Sequence, residues 1–492
     1  MSASAEAATS ANLATLLDAG RPDAPALIVD GEVVTYRELD EGAARFAGLL
    51  ASRGVRAGDR VGLLLPNIPA FAEAYYGALR LGAIVVPLNM LLVEREIVDR
   101  LRHSGASVIV TQPGREHGGI AQVDPADARA ADPLVGSTPV NGGDTAVLLY
   151  TSGTTGHPKA AELSHAGLMW IATRLGAVLG VTSDDVVFGA APLSHVFGQS
   201  GALNMSIAAG ASVALMNRFD AVTALELIEQ ERVSVFLGVP TMCIALLRAS
   251  EETGKAPAMR VAHTGGAPLA LETLRAFTER FDCSVLEGYG LSETAGTVTS
   301  HRVGRPVKLG SVGEPIEGTE VRVGAATGEV GEVLVRGPAV MSGYWNDPEA
   351  SRAAVTPDGW FATGDVGYLD DDGYLYLVDR KKDIILRAGY TVYPREVEEA
   401  LYEHPAVREA VVVGVPDETL GEEVAALVVL REGSAPTPAE LIAFARERVA
   451  LYKAPRLVVV MDELPHGPTG KVLRREIDRQ ILRTRIDHEK GA

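Results

Sequence analysis

The chain has 492 residues, with 45 Lys plus Arg against 64 Asp plus Glu and a formal net charge of −19; this is room for several packed domains, and too acidic a balance for a general binder of nucleic acid or anionic membrane. Hydrophobic residues make up 47% and charged residues 22%, the mixture of a folded globular protein and not of a disordered one. Cys243 and Cys283 are the only cysteines, too few for a disulfide framework or a four-cysteine metal site, and they read as buried thiols of a reducing cytoplasm.

The opening MSASAEAATSANLATLLDAG lacks the basic start and unbroken apolar core of a secretory signal. No apolar run elsewhere reaches the length of a membrane-spanning helix. A cytoplasmic protein without a membrane span is therefore expected. Residues 27–29 and 33–34 are apolar and flank Asp30-Gly31, a pair that predicts a tight hairpin. Thr35 followed by Glu38 predicts a capping box at the start of a helix. Residues 61–65 then read as a buried strand, 70–81 as a helix and 83–88 as a second strand, the alternation of α/β layers.

Residues 146–150 form another apolar run, which stops at a cluster of Ser, Thr and Gly. After Ser164, Leu168, Ile171, Ala172 and Leu175 repeat at helical spacing, so the cluster reads as a strand-to-helix loop. The run YTSGTTGHPK at 150–159 gives this loop its chemistry. Glycines let backbone N–H groups approach an anion closely, hydroxyls add donors and the lysine adds charge, a set that suits a polyphosphate. The spacing is not that of a Walker A loop.

Five successive charges, Asp379-Arg380-Lys381-Lys382-Asp383, interrupt the apolar pattern and on their own read as a solvated turn. Beyond them, Val397, Ala400 and Leu401 predict a helix, 410–415 and 424–430 predict strands, and Thr437-Pro438-Ala439-Glu440 opens another helix. The expected division is a large domain over 1–379, a linker at 380–383 and a small α+β domain over 384–492.

The 150–159 run resembles the phosphate loop of the adenylate-forming superfamily, which includes acyl-CoA synthetases, aryl-CoA ligases and the adenylation domains of peptide synthetases. Further motifs resemble the same family in the same order: TYREL at 35–39, GGAPL at 265–269, GYGLSET at 288–294, GWFATGD at 359–365, DRKKD at 379–383 and GPTGK at 467–471. The resemblance implies an α/β fold with a large, multi-layer N-terminal adenylation domain of mixed sheets and helices, and a small, mobile α+β C-terminal domain.

It also implies a reaction in two halves. A carboxylate attacks the α-phosphate of ATP to give an acyl-adenylate and pyrophosphate, and a thiol, coenzyme A or a carrier protein's phosphopantetheine, then displaces AMP. Thr151, Ser152, Gly153, Thr154, Thr155, Gly156 and Lys159 would hold the departing phosphates. Glu293 would hold Mg2+, for which a carboxylate oxygen is an apt ligand, and Thr294 would contact the α-phosphate. Gly266 and Ala267 would line the nucleotide pocket, with Tyr289 offering adenine a flat face. Asp365 would accept from both ribose hydroxyls, and Arg380 would add a contact to ribose or phosphate. Lys471 would bridge the attacking carboxylate and the α-phosphate. Lys382 matches the hinge position and Gly389 the pantetheine tunnel.

On the acid side, His195 lies in PLSHVFG at 192–198, where it would bind or gate substrate, and Val239 lies in the apolar stretch VFLGVPTM at 235–242. Gly288 and Gly290 are expected to leave room there. No acidic residue stands in 192–198 to pair with a substrate ammonium, which disfavours amino acids. Gly288 stands where malonate-specific relatives carry an arginine. An apolar monocarboxylic acid, fatty or aromatic, fits best, with fatty acid metabolism as one setting.

Three positions depart from the family's usual residues: Ala160 after the loop lysine, Phe361, and Ala388 beside the tunnel glycine. The last puts coenzyme A, as against a carrier protein, in some question. A catalytically silent adenylate-binding scaffold is the contrasting reading. Retention of Lys159, Glu293, Asp365, Arg380 and Lys471 stands against it.

Overall fold

In the computed structural model, residues 12–114, 116–151, 159–267, 269–324, 327–417, 419–466 and 472–491 are described. Packing divides the chain into two compact units, one of residues 1–321 and 334–362, the other of 322–333 and 363–492. Residues 380–383 lie inside the second unit. A division by packing and a hinge for movement are different properties.

The first unit carries two large sheets. One has six strands in the order Ala121–Val123, Ala106–Thr111, Arg60–Leu64, Ile84–Pro87, Thr145–Thr151 and Lys159–Ser164. All neighbours are parallel except the last pair. The predicted strand-to-helix loop is thus corrected: the chain returns as a second strand before the helix His165–Leu179 begins. Ala160, Ala161 and Leu163 are small or apolar enough to be buried there, and a run this short gave no period of its own. The other sheet has nine strands, from Glu314–Pro315 at one edge to the hairpin Pro25–Val29 and Glu32–Thr35 at the other.

The hairpin forms as expected, with Val29 opposite Glu32 and both turn residues at positive φ, Asp30 at 51° and Gly31 at 79°. This is the geometry an Asp-Gly turn favours. Thr35 caps the helix Tyr36–Ser52 with the full capping box: its Oγ1 accepts from Glu38 N at 3.2 Å, and Glu38 Oε2 accepts from Thr35 N at 2.8 Å. The helices Tyr36–Ser52 and Pro69–Arg80 pack closely because Gly77 has no side chain. A Cβ there would lie 2.6 Å from Phe46 Cβ and 2.8 Å from Ala43 O. Fully buried Tyr36, Phe46, Phe71, Tyr75 and Tyr76 fill the shared core.

In the second unit a five-stranded sheet places Gly421–Leu430 between Val407–Asp417, which runs antiparallel, and Leu457–Met461, which runs parallel. The period of two sorts its residues cleanly. Val412, Val424, Ala426 and Val428 enter one core with the helices Pro394–Tyr402 and Pro438–Arg446. Val411, Val413, Ala425, Leu427 and Val429 enter the other with Leu482 and Ile486 of the helix Arg479–Gly491. A strand buried on both faces reads as a continuous apolar run, as these do. Thr437 caps its helix with Glu440 and with Pro438 in the first turn, as expected. No helix among the described residues is long and apolar enough to cross a membrane.

One buried group ties this fold to pH. His165 is almost wholly buried, and its Nδ1 accepts from Leu13 N at 3.1 Å. Burial pushes its pKa from 6.5 down to about 4, so the unfolded chain binds a proton over a pH range where the folded chain does not. The contribution is complete above the unfolded value and falls as pH drops toward 4, by about 1.4 kcal/mol per pH unit within that window. Urea unfolding should therefore show a flat midpoint from pH 7 to 8 and a falling one from 6.5 to 4.5. The His165→Asn variant should start lower and fall less steeply.

Candidate active site

The strands Thr145–Thr151 and Lys159–Ser164 form a hairpin in which Thr151 stands opposite Lys159. Thr151 and Lys159 are thus the two posts of the phosphate-loop candidate; Ser152, Gly153, Thr154, Thr155 and Gly156 lie outside the described residues. A second segment runs along the free side of Lys159–Ser164. Glu162 N donates to Gly343 O at 2.9 Å, Ser342 N to Glu162 O at 3.0 Å and Trp345 N to Ala160 O at 2.8 Å, with Ala161 and Tyr344 forming a bridge. This pairing carries Tyr344 to Lys159, whose Nζ lies 5.1 Å from the ring centroid. The Tyr344 hydroxyl donates to Glu293 Oε1 at 3.0 Å. Lys159 and Glu293, read from separate motifs, thus meet on two sides of one aromatic side chain that no motif singled out.

Glu293 and Thr294 lie on a short 3-10 turn after the strand Ser284–Leu291. Thr294 is buried, and its Oγ1 accepts from Leu291 N at 3.1 Å and donates to Gly296 O at 2.8 Å. Met341 N donates to Glu293 O at 2.8 Å, which holds the turn from a second direction. Glu293 keeps its Oε2 beside the tyrosine-bonded Oε1. Such a carboxylate fits Mg2+, which takes one or two carboxylates together with substrate phosphates and needs no all-protein cage. Among the described residues no group of three or more His, Cys, Asp and Glu forms such a cage.

Gly265 ends the strand Val261–Gly265 opposite Gly288, at the carboxyl ends of parallel strands where open α/β sheets bind ligands. Gly266, at φ 83°, and Ala267 follow it and are exposed. Tyr289 is buried on the next strand. The expectation that Gly288 and Gly290 leave room for a ligand meets a different use of that room. A Cβ on Gly288 would lie 2.5 Å from His263 Nε2, and one on Gly290 only 1.9 Å from Gly296 O. On that side the absent side chains make way for protein atoms.

His263, beside Gly288, is a residue that sequence reasoning missed, since a lone histidine in a core strand carries no motif. It stacks on Phe197 with centroids 6.2 Å apart and planes at 15°. Its Nε2 lies 3.3 Å from Ser300 Oγ. Burial first, and the neighbouring His301 second, push its pKa down to about 4, so it is neutral at physiological pH. His195 is half-buried, with Nδ1 accepting from Phe197 N at 3.2 Å. It lies two residues before a π-helical stretch, Phe197–Asn204, a form found often at functional sites. Val239 caps the helix Pro240–Thr253 and is half-buried.

In the second unit Asp365 is buried and stands opposite Arg380 across a hairpin, with Arg380 Nε 3.1 Å from Asp365 Oδ1. Lys382 is exposed. Gly389, at φ 81°, shares with Ala388, at φ 51°, the turn between Ile385–Arg387 and Tyr390–Val392. Lys471 lies outside the described residues. On either side of residues 467–471, His466 pairs with Val472 and Leu473 N donates to Pro465 O at 2.7 Å.

The AMP-binding enzyme family matches residues 17–345, and the AMP-binding enzyme C-terminal domain matches residues 396–471. A feruloyl-CoA synthase from an Amycolatopsis species is 38% identical over 477 residues, covering 94% of this chain and 96% of that protein. A long-chain-fatty-acid-CoA ligase of Bacillus subtilis (strain 168) is 36% identical over 513 residues, covering 93% and 91%. Among solved structures, the o-succinylbenzoate CoA synthetase of Bacillus subtilis with its acyl-adenylate intermediate superposes with a TM-score of 0.88 at 33% identity, over 95% of this chain and 98% of that one. The same synthetase with ATP and a magnesium ion gives a TM-score of 0.86 at 33% identity, over 94% and 98%.

Gly290 offers a direct check of the site's backbone. Gly290→Ala sets a methyl group against Gly296 O, so it should cost about 1–3 kcal/mol and shift the turn bearing Glu293. Urea unfolding measures the first effect, and weakened Mg2+-dependent binding of ATP the second.

Proposed function

Because the chain belongs to the AMP-binding enzyme family, in its acid:CoA ligase branch, we propose that it joins an apolar monocarboxylic acid, fatty or aromatic, to coenzyme A through an acyl-AMP intermediate. The observation that carries this reading is the meeting of Lys159 and Glu293 at Tyr344. A cation at the end of one hairpin and a carboxylate joined to it through one tyrosine are what a polyphosphate and its metal ion need.

In the first half-reaction a carboxylate oxygen bonds to the α-phosphorus and the α–β anhydride bond breaks, releasing pyrophosphate. Thr151, Ser152, Gly153, Thr154, Thr155, Gly156 and Lys159 hold the leaving phosphates, Thr294 the α-phosphate and Asp365 with Arg380 the ribose. Gly266, Ala267 and Tyr289 bound the adenosine. Glu293 would hold magnesium, which would supply charge neutralisation across the phosphates. Lys471 places its ammonium between the attacking carboxylate and the α-phosphate, where negative charge is shared in the transition state. In the second half-reaction a thiolate bonds to the acyl carbon and the bond to AMP breaks. The part after the 380–383 hinge, with Lys382 at its pivot, moves between the two, and Gly389 lines the path of the pantetheine arm.

For the acid, the support is the apolar strand Val235–Gly238 with Val239 beyond it, His195 two residues before the π-helical stretch, and glycine at 288 where a second carboxylate would need a cation. Two of the relatives named above are a feruloyl-CoA synthase and a long-chain-fatty-acid-CoA ligase, which leaves both classes in the proposal.

Mass-spectrometric product analysis with ATP, magnesium and a panel of fatty, aryl and dicarboxylic acids, with and without coenzyme A, tests the reading. Acyl-CoA with stoichiometric AMP is the expected outcome. Acyl-AMP that accumulates despite coenzyme A would replace it with transfer to a carrier protein, and no product with any acid would favour the silent scaffold. Lys471→Ala should lower acyl-AMP formation on the order of 10²–10³-fold while thioester formation from supplied acyl-AMP survives. Equal loss of both would reject the divided roles.

A further inference from the structure

Tyr344 joins the two charges of the candidate phosphate and metal site, and no motif or mechanism above gives it a task. We propose that Tyr344 is a positioning residue that holds Lys159 by its ring face and Glu293 by its hydroxyl, so that the two charges stay apart and available to metal-bound nucleotide. This deepens the reading above and rests on it.

The side chain is well placed for such a task. Its backbone is fixed by the pairing with Ala161, by Tyr344 N donating to Ser351 Oγ at 2.8 Å and by Asp347 N donating to Tyr344 O at 3.1 Å. The ring is thus carried on a fixed stretch of backbone. The hydroxyl donates to Glu293 Oε1 at 3.0 Å. Half-buried lysine and glutamate side chains this near each other would ordinarily form a direct ion pair. Such a pair would occupy the charges that the nucleotide and its metal ion require. An aromatic ring between them offers each a neutral partner: the quadrupole of the face for the ammonium, and one hydrogen bond for one carboxylate oxygen. The other oxygen, Oε2, stays open to a cation, and the carboxylate is held in one orientation.

Two substitutions separate the ring from the hydroxyl. Tyr344→Phe keeps the ring and removes the donor to Glu293, and Tyr344→Leu removes both. The full-length protein and its variants are titrated by calorimetry with an ATP analogue carrying a methylene in place of the α–β bridging oxygen, first without metal and then at rising Mg2+. Circular dichroism melts run alongside. The expected result for Tyr344→Phe is a Mg2+ requirement raised roughly tenfold with metal-free analogue affinity within about twofold of the parent. For Tyr344→Leu, metal-free affinity should fall as well, by roughly fivefold.

An unchanged Mg2+ requirement in Tyr344→Phe would overturn the proposal. So would equal weakening with and without metal in both variants, which is what a merely structural role predicts. Lys159→Ala and Glu293→Gln are controls for the underlying reading. If neither weakens binding of the magnesium-bound analogue, the site assignment itself fails; if both do and the tyrosine variants do not, only the positioning role fails.

Discussion

The pairing of residues 342–345 along the strand Lys159–Ser164 is the constraint on which the first unit's site depends. Backbone hydrogen bonds at 160 and 162 fix a register, and a register in a β-pairing decides which way every side chain points. A slip by one residue would turn Tyr344 away from both Lys159 and Glu293. The same region is held again where Met341 N donates to Glu293 O, so segments from three distant parts of the sequence share one set of backbone bonds. The site's geometry is thus built from main-chain hydrogen bonds, which do not depend on the flexible side chains they position.

That pairing is also what the sequence could not announce. Local signals were legible because their physics is local: the Asp30-Gly31 hairpin, the capping boxes at Thr35 and Thr437 and the apolar strands of the second unit all stand where their residue types require. Lys159 and Glu293 were legible through motifs, each within its own loop. Tyr344 sits after a glycine and before Trp345 and Asn346, a context that reads as a core aromatic near a turn. Its place beside two charges follows from long-range strand pairing, which leaves no trace in a window of neighbouring residues. The strand Lys159–Ser164 was hidden for a related reason, being too short and alanine-rich to show a period.

The glycines of GYGLSET carry a further lesson about reading absence of a side chain. From sequence, Gly288 and Gly290 look like space offered to a ligand. In the structure the space beside Gly290 is taken by the Gly296 carbonyl and that beside Gly288 by the His263 ring. Each glycine permits a close approach, and only the fold determines what approaches. His263 brings with it a stacked Phe197 and the π-helical stretch after His195, whose Gln199 is fully buried with neither amide atom hydrogen-bonded among the described residues. A largely buried cluster of neutral, polar and aromatic groups results, because burial keeps His263 uncharged at physiological pH.

In the second unit, charge is handled by enclosure. Arg474, three residues after Lys471 in the chain, reaches Glu398 and lies 3.6 Å from Asp383; Asp379 Oδ2 accepts from Arg395 N at 2.8 Å. Burial raises the pKa of both Asp379 and Glu398, and the Arg474 charge works against that rise. Burial equally opposes the charge on Arg474, yet Glu398, Asp379 and Asp383 hold its pKa above the ordinary value. Removing Arg474 would leave Glu398 without its ion-pair partner in a buried place, a far larger cost than losing a surface pair. The charges at 379 and 383, which in sequence read as a solvated turn, thereby face Arg474. A run of like-looking surface charges can thus divide its labour, with Arg380, Lys381 and Lys382 facing solvent while the two flanking aspartates turn inward.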